Sequence, residues 1–208
     1  MHKTLIIGIR PSPLAIKQAE EAAAILKTLC PGSEFSIKKI FTSGDKDKTT
    51  PLSEVQSQDF FTKEIDDALL AKEIDAAVHS SKDLPDILPD GLFIAWQTEP
   101  ISRHDALVSR GNIKFYELPN FSRIGASSRR RKEEVAALRR DLEIVDVRGN
   151  IEERIALVDE GRIDALIVAH AALIRLGLEN RIAQLLPLDM FATDPRQGSL
   201  SIVMRKES

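Results

Sequence analysis

Residues 5–29 read LIIGIRPSPLAIKQAEEAAAILKTL, and this stretch decides the fold class. Its apolar run at 5–9 predicts a buried strand, Ser12 suits a helix N-cap, and Pro13 suits the first helical position. We expect an Ala-rich amphipathic helix from there to about Leu29. A strand that leads directly into a helix is the repeating unit of α/β proteins, whose strands are largely parallel.

The same alternation of strand and helix continues along the chain. Apolar runs predict further strands at 35–41, 76–78, 106–108, 122–126, 142–147, 165–169 and 199–204. Helices are expected after Asp59, after Ser128, at 151–159 and from 170 to about 174, and a polar surface loop is expected at 43–51. The inner face of the helix after Asp59 is predicted to carry Phe60, Phe61, Ile65, Leu69 and Leu70.

The arrangement of these elements predicts two domains. A polar segment that contains a proline, 97–105, is the expected crossover between them. The last strand, 199–204, is too short to form a domain and is expected to return to an existing sheet. We therefore predict an α/β protein with mixed, mainly parallel sheets flanked by helices, in which domain 1 comprises 1–98 and 192–208 and domain 2 comprises 102–190.

The composition is that of an ordinary globular protein, with 43% hydrophobic and 29% charged residues among 208. The net charge of −3 provides no overall basic field, so nucleic acid is not an expected partner. The single cysteine excludes an internal disulfide framework and fits a reducing compartment. The longest N-terminal apolar run is too short for a signal-peptide core or a membrane span, so we expect a cytoplasmic protein with no membrane partner.

Polar side chains cluster where predicted strands pass into helices. Such junctions lie at 10–12, 80–83, 126–128 and 148–150, each with hydroxyls or cations. In open α/β sheets ligands bind beyond the carboxyl ends of the strands, and helix N-termini there attract anions. Fourteen of the sixteen arginines also lie at 110–205, and arginine binds carboxylates through a planar fork. These features together predict a polyanion site, although each junction alone is also typical of a simple cap or turn.

Asp83 is the acidic residue best placed for chemistry, because it follows Lys82 at a strand end. A carboxylate there can protonate a leaving group or stabilise a developing cation. On local sequence alone, an N-capping role before Leu84 and Pro85 is the favoured interpretation. The sequence has no phosphate-binding glycine loop, no nucleophile elbow and no histidine spacing typical of a metal site, so no metal is expected.

Several sequence blocks carry a resemblance to a known family. They are IRPSPLA at 9–15, GD at 44–45, TPL at 50–52, AAVHSSKDLP at 76–85, GASSRRR at 125–131, VRGN at 147–150 with Arg154, LIRLGL at 173–178 and RQG at 196–198. In these blocks and in their order, the whole chain resembles the porphobilinogen deaminase (hydroxymethylbilane synthase) family. The resemblance implies two domains of the type II periplasmic-binding-protein-like kind, with an active-site cleft between them.

The resemblance implies a transferase of tetrapyrrole (heme) biosynthesis that condenses four porphobilinogen molecules into linear hydroxymethylbilane and releases ammonia. Porphobilinogen and polypyrrole carboxylates are the implied ligands, dipyrromethane is the implied cofactor, and a monomer is expected. By position in the motifs, Asp83 is the implied catalytic residue, which overrides the capping interpretation. The residues implied to bind substrate carboxylates are Arg10, Ser12, Arg148 and Arg154. The residues implied to hold the dipyrromethane primer are Ser80, Lys82, Ser127, Ser128, Arg130 and Arg131.

The chain departs from the family pattern in three places. Family members attach the primer through a thioether to a cysteine of a third, C-terminal domain; here Cys30 lies in the wrong region, so we expect that domain to be absent and no covalent attachment. The family's glycine- and lysine-rich loop reads QSQD at 56–59, and Ala126 stands where threonine is usual. Three interpretations stay open: a shortened deaminase, a catalytically impaired deaminase-like protein that binds a tetrapyrrole precursor or another anion, and a small-molecule sensor. The retained Asp83 argues against a pure binding role.

Overall fold

The computed structural model describes residues 4–29, 31–47, 50 and 59–206 of the chain. The chain divides into two compact units. The first comprises Met1–Asp47, Ser57–Ile101 and Gly198–Ser208, and the second comprises Lys48–Gln56 and Ser102–Gln197. The domain boundaries given above stay a prediction. Cys30, residues 51–52 of the TPL block and residues 56–58 of the QSQD loop lie outside the described residues.

Strands and helices alternate along the described residues. The strands are β1 (Thr4–Ile9), β2 (Glu34–Lys39), β3 (Ala76–Ser80), β4 (Leu92–Gln97), β5 (Asp105–Ser109), β6 (Arg123–Gly125), β7 (Glu143–Val145), β8 (Ala165–Ala169), β9 (Gln184–Leu186) and β10 (Leu200–Arg205). The helices are α1 (Pro13–Leu29), α2 (Ser43–Lys46), α3 (Lys63–Leu70), α4 (Arg129–Leu138), α5 (Ile151–Asp159) and α6 (His170–Leu176). None of the helices in this part of the chain has both the length and the apolar character needed to cross a bilayer.

The first unit contains a five-stranded sheet, in the order β2-β1-β3-β10-β4 within the described residues. β1 is parallel to β2 and β3, whereas β10 is antiparallel to β3 and β4. The predicted return of the last strand to an existing sheet is thereby confirmed. α1 covers one face, where Ile7, Ala19 and Val78 are buried. α3 covers the other face, where Ile65 and Val203 are buried.

The second unit contains a sheet with the same plan, in the order β7-β6-β8-β5-β9 within the described residues. β6 is parallel to β7 and β8, whereas β5 is antiparallel to β8 and β9. α4 packs on one face through Val135, which lies in a core cluster with Ile167. α5 and α6 pack on the other face through Ile155 and Leu173. Mixed sheets flanked by helices confirm the predicted α/β fold class.

The surface loop predicted at 43–51 is wrong for its first residues, which form α2. Thr42 is the N-cap: its side chain accepts a hydrogen bond from the Asp45 backbone N–H, and the Asp45 side chain accepts one from the Thr42 backbone N–H. Gly44 is buried inside this turn. A single turn closed by a capping box lacks the apolar periodicity by which longer helices are recognised.

The helix expected directly after Asp59 begins at Lys63 instead. Thr62 occupies the N-cap position, and the Asp59 carbonyl accepts hydrogen bonds from the backbone N–H groups of Thr62 and Lys63. The predicted helix start directly after Asp59 is therefore wrong. On the predicted inner face Leu69 is fully buried, but Leu70 is 43% exposed, because α3 ends there.

Candidate functional site

In the first unit, hydrogen-bonding side chains line the carboxyl ends of two neighbouring strands. β1 and β3 are parallel, so Arg10, which follows β1, and Ser80, which ends β3, lie at the same edge of the sheet. Ser12 caps α1, because its Oγ accepts a hydrogen bond from the backbone N–H of Ala15 at 3.2 Å. The Oγ of Ser80 accepts one from Nε2 of Gln18 at 2.8 Å. Three predicted site residues therefore share this edge.

Arg10 is held by a carboxylate that the sequence analysis left without a role. Its Nε and Nη2 donate to Oδ1 of Asp45 at 3.0 and 2.5 Å, and its guanidinium lies 4.2 Å from the ring centroid of Phe61. Burial by itself would raise the pKa of Asp45, but the hydrogen bonds and charge of Arg10, with the hydrogen bonds of Thr42, outweigh it. The pKa of Asp45 is therefore lowered, and the ion pair persists at neutral pH.

Lys82 and Asp83 follow β3 within a three-residue 3₁₀ turn, Ser81–Asp83. Lys82 is half-buried and Asp83 is exposed. The turn is anchored by buried Ser81, whose Oγ lies 2.8 Å from that of Ser201. The predicted helix N-terminus at this junction is wrong, because so short a turn has little dipole. No α-helix begins at 84–91 either, so the capping interpretation of Asp83 is also wrong.

His79 is a buried titratable group beside this edge. It is 5% exposed, and its Nε2 has no hydrogen-bond partner among the described residues. Burial, and then the charge of Arg10, lower the pKa of His79 to about 4. The imidazole is therefore neutral at physiological pH, so Arg10 does not face a second cation there.

In the second unit, the carboxyl ends of β6 and β7 lead to two helix N-termini. Ser128 caps α4, because its side chain accepts a hydrogen bond from the Arg131 backbone N–H. Ser127 is buried, donates to the Val147 carbonyl at 3.0 Å, and accepts from Nη1 of Arg154 at 2.9 Å. The predicted helix after Ser127 and Ser128 is confirmed. Ser127 and Arg154, assigned above to different ligands, are direct partners.

Arg148 lies in the turn between β7 and α5, where it is half-buried. Gly149 has a φ of +99°, a backbone conformation that glycine adopts without strain. Its carbonyl accepts a hydrogen bond from Nε of Arg154 at 2.8 Å. Asn150 then caps α5 in a reciprocal capping box with Glu153. The predicted helix at 151–159 is confirmed, and Arg148, like Arg154, lies at its N-terminal end.

Arg130 and Arg131 share one buried carboxylate. Arg131 binds Asp105 through Nε at 3.0 Å and Nη2 at 2.6 Å, and Arg130 binds it through Nη2 at 2.9 Å. Nε2 of Gln197 donates to the same carboxylate at 2.9 Å. Nη1 of Arg130 also donates to Glu134 and to the Ala192 carbonyl. Both predicted primer-binding arginines are therefore ordered by other residues of the second unit.

The structure thus brings the predicted site residues together within each unit. The first unit holds Arg10, Ser12, Ser80, Lys82 and Asp83 at one sheet edge, and the second holds Ser127, Ser128, Arg130, Arg131, Arg148 and Arg154 around two helix N-termini. No group of three or more His, Cys, Asp or Glu side chains in the described ranges is arranged to hold a metal ion.

Sequence reasoning missed Asp45, Asp105, Gln18 and Gln197. The blocks GD and RQG contain Asp45 and Gln197, so a signal was present, but it carried no contact information. Asp105 opens a strand and Gln18 lies inside a helix, and neither position has a local pattern that predicts a buried polar partner. Their roles depend on contacts with residues that are distant in the sequence.

The family whose description reads "Porphobilinogen deaminase, dipyromethane cofactor binding domain" matches residues 5–208. The chain belongs to the porphobilinogen deaminase family. The matched region is the one in which this family binds its dipyrromethane cofactor. It contains every residue that the sequence resemblance singled out, from Arg10 to Arg154.

Bacterial proteins named porphobilinogen deaminase align with nearly the whole chain. That of Chlorobium chlorochromatii is 42% identical over 205 residues, which are 99% of this chain and 66% of the relative. That of Geotalea uraniireducens is 43% identical over 206 residues, which are 99% of this chain and 64% of the relative. The chain therefore spans slightly less than two thirds of the length of these relatives.

The fold of this porphobilinogen deaminase family member is similar to that of a solved structure. The methionine-binding protein MetQ superposes with a TM-score of 0.58 and 14% identity, and the match covers 98% of this chain and 83% of MetQ. At that identity the likeness concerns the fold alone. The predicted type II periplasmic-binding-protein-like fold is confirmed.

Proposed function

We propose that this chain carries the catalytic centre of a porphobilinogen deaminase. The reaction condenses four porphobilinogen molecules into linear hydroxymethylbilane and releases one ammonia at each step, within tetrapyrrole biosynthesis. One observation carries the proposal: in a chain of this family, the carboxyl ends of β1 and β3 bring Arg10, Ser12 and Ser80 to the same sheet edge as Lys82 and Asp83. Such a substrate needs cations to bind its carboxylates and a carboxylate to stabilise its cationic reacting centre.

The arginines supply the affinity for substrate in this proposal. Each porphobilinogen carries an acetate and a propionate, and each charged hydrogen bond to a carboxylate contributes about 1.5–3 kcal/mol. Arg10 and Ser12 bind such groups at the sheet edge of the first unit, and Arg148 and Arg154 bind carboxylates at the α5 N-terminus of the second. Arg10 and Arg154 are already ordered by other residues, so little side-chain entropy is lost on binding.

Asp83 performs the chemistry. When ammonia leaves porphobilinogen, the C–N electron pair departs with it, and the pyrrole becomes a cationic azafulvenium. The carboxylate of Asp83 stabilises that positive charge through the pyrrole N–H while the exocyclic carbon forms a new carbon–carbon bond. The pyrrole carbon of the growing chain that forms this bond then loses its proton, so its ring regains aromatic character.

The donor set of the chain fits a dipyrromethane primer. Ser80 and Lys82 in the first unit, and Ser128, Arg130 and Arg131 in the second, offer hydroxyl and cationic donors to carboxylates of such a group. Ser127 donates its own proton to the Val147 carbonyl, so in this proposal it acts by holding Arg154. When bound, the primer supplies the pyrrole carbon on which the chain grows. The Asp105 carboxylate orders both arginines in advance.

Cys30 does not anchor the primer in this proposal. We propose that the primer is held by the charged and hydroxyl groups just named, and that the chain acts as a cytoplasmic monomer without membrane or nucleic-acid partners.

The test is turnover of porphobilinogen by the purified chain. Loss of substrate is followed with Ehrlich's reagent, and ammonia is measured in parallel. We expect one ammonia for each porphobilinogen consumed, and Asp83→Asn is expected to lower the rate by about 100-fold or more while substrate still binds. Asp90→Asn, which changes another exposed carboxylate of the first unit, is the matched control and keeps the activity.

The outcomes separate the open interpretations. Binding of porphobilinogen without ammonia release favours a catalytically impaired binding protein. Failure to bind any pyrrole carboxylate overturns the proposal in favour of a sensor for another anion. Full activity of Asp83→Asn removes Asp83 from the mechanism but leaves the reaction type in place.

A further inference from the structure

The sequence block Gly44-Asp45 has no role in the function proposed above. In the structure it belongs to α2, whose single turn is closed by Thr42. Oδ2 of Asp45 accepts hydrogen bonds from the Thr42 backbone N–H at 3.1 Å and from the Thr42 Oγ1 at 2.8 Å. One carboxylate oxygen is therefore fully engaged in fixing the turn.

The other oxygen of Asp45 is directed at Arg10. Oδ1 accepts hydrogen bonds from both Nε and Nη2 of Arg10, while the ring of Phe61 covers one face of the guanidinium. These contacts fix two of the three guanidinium nitrogens and the plane of the group. None of the hydrogen bonds among the described residues uses Nη1. The guanidinium of Arg10 is thus held in one orientation, with Nη1 available to donate to a ligand.

α2 is itself clamped from the side of α3. The backbone N–H and the Oγ of Ser43 both donate to Oε1 of Glu64, at 2.8 and 2.6 Å. Gly44 donates its N–H to the Phe60 carbonyl at 3.0 Å, and a Cβ on Gly44 would lie 2.1 Å from Cε1 of Phe61. The same phenylalanine ring therefore contacts both α2 and Arg10. Asp45 has little freedom to follow Arg10 if the arginine moves.

We infer that Asp45 is a positioning residue, which holds the Arg10 guanidinium with Nη1 ready to bind a carboxylate of porphobilinogen. The inference rests on the proposed function for the identity of the ligand. A free arginine must be immobilised when it binds, which costs an amount equivalent to about 2- to 10-fold in affinity. Asp45 removes that cost in advance, even though its own negative charge opposes an incoming carboxylate.

A double-mutant cycle on the full chain separates this role from a purely structural one. Affinity for porphobilinogen is measured by calorimetry at 0.15 M salt, with Asp83→Asn present in every protein so that no turnover occurs. We expect Asp45→Asn to weaken binding about 2- to 10-fold, and the same change in an Arg10→Ala background to have less than about a twofold effect. Equal losses in both backgrounds overturn the inference, because Asp45 would then act on the fold rather than through Arg10.

Two further variants isolate position from charge. Asp45→Glu keeps the negative charge but moves the carboxylate by one methylene, so it is also expected to weaken binding. Wild-type affinity in Asp45→Glu would show that charge alone matters, against the inference. Asp141→Asn disturbs a comparable bidentate pair with Arg139 in the second unit and is the matched control, with unchanged affinity expected.

An NMR measurement decides whether Asp45 holds Arg10 when no ligand is present. The Arg10 Nε–H signal is expected to be resolved and slow to exchange with water in the wild type, and to join the rapidly exchanging arginines in Asp45→Asn. If the wild type binds no porphobilinogen, the proposed function fails, and this measurement alone tests the positioning role. An Arg10 signal unchanged by Asp45→Asn overturns that role whatever the binding result.

Discussion

Each unit holds a cluster of arginine and carboxylate side chains: Arg10 with Asp45 in the first unit, and Arg130 and Arg131 with Asp105 in the second. The two clusters differ in how many cations share one carboxylate. In the first unit Arg10 alone is paired with Asp45, and the two side chains keep 29% and 10% of their exposure. In the second unit Arg130 and Arg131 share Asp105, whose side chain has no exposure at all. A buried carboxylate between two cations is costly to remove, whereas a partly solvated pair is not. Asp105 is therefore a buried structural counterion for both arginines, whereas Asp45 orients the single side chain of Arg10.

The largest effect is expected from Asp105→Asn. Removing the charge leaves the buried guanidinium of Arg131 without its counterion, so we expect a loss of about 3–5 kcal/mol in the free energy of unfolding, measured by urea denaturation. Asp159→Asn, which breaks the exposed pair with Arg181, is the control and changes stability by about 0.5 kcal/mol or less. A small effect at Asp105 would show that the comparison overstates the difference between the clusters.

An intermediate effect is expected from His79, beside the first cluster, as the pH falls. Burial first, and then Arg10, lower its pKa from 6.5 to about 4, so the unfolded chain takes up a proton before the folded chain does. The stability that neutral His79 contributes is present above pH 6.5 and is lost as the pH falls toward 4, by about 3 kcal/mol relative to His79→Gln. Urea midpoints of both proteins at several pH values measure the difference. Parallel pH curves would contradict the burial of a neutral imidazole.

The smallest effect is expected from Asp45→Asn. The pair with Arg10 is partly solvated, so the free energy of unfolding should fall by only about 1 kcal/mol at pH 7. Because the pKa of Asp45 is lowered in the folded protein, this contribution is present above its usual pKa and disappears as the pH falls below it. Thermal unfolding at pH 7 and pH 3 checks both points. A loss as large as that of Asp105→Asn would erase the distinction between the clusters.

Much of the fold could be predicted because apolar periodicity and caps are local signals. The α5 helix at 151–159 and the β8 strand at 165–169 have the predicted bounds, and Ser12, Ser128 and Asn150 act at helix starts as their residue types suggest. The strands β4 and β9 were not predicted. Five of the six residues of β4 are exposed, so the strand depends on pairing with β10, far along the chain.

The candidate site was predictable in its residue types but not in its partners. Sequence blocks identified Arg10, Arg130 and Arg131, yet nothing near them in the sequence indicates Asp45 or Asp105, which lie 35 and about 25 residues away. Ion pairs between distant positions follow from how strands are ordered in a sheet. That order is set by tertiary packing and leaves no periodic trace in the sequence.

The position of β10 in the first sheet has a consequence for synthesis of the chain. Among the described residues β4 pairs only with β10, and β10 begins at Leu200, whereas every strand of the second sheet lies between Asp105 and Leu186. During synthesis β4 is therefore made about 100 residues before the strand with which it pairs. Until β10 has been made, the uncharged segment LFIAWQ has no strand partner of this sheet, and unpaired apolar strands of this kind are prone to associate with other chains.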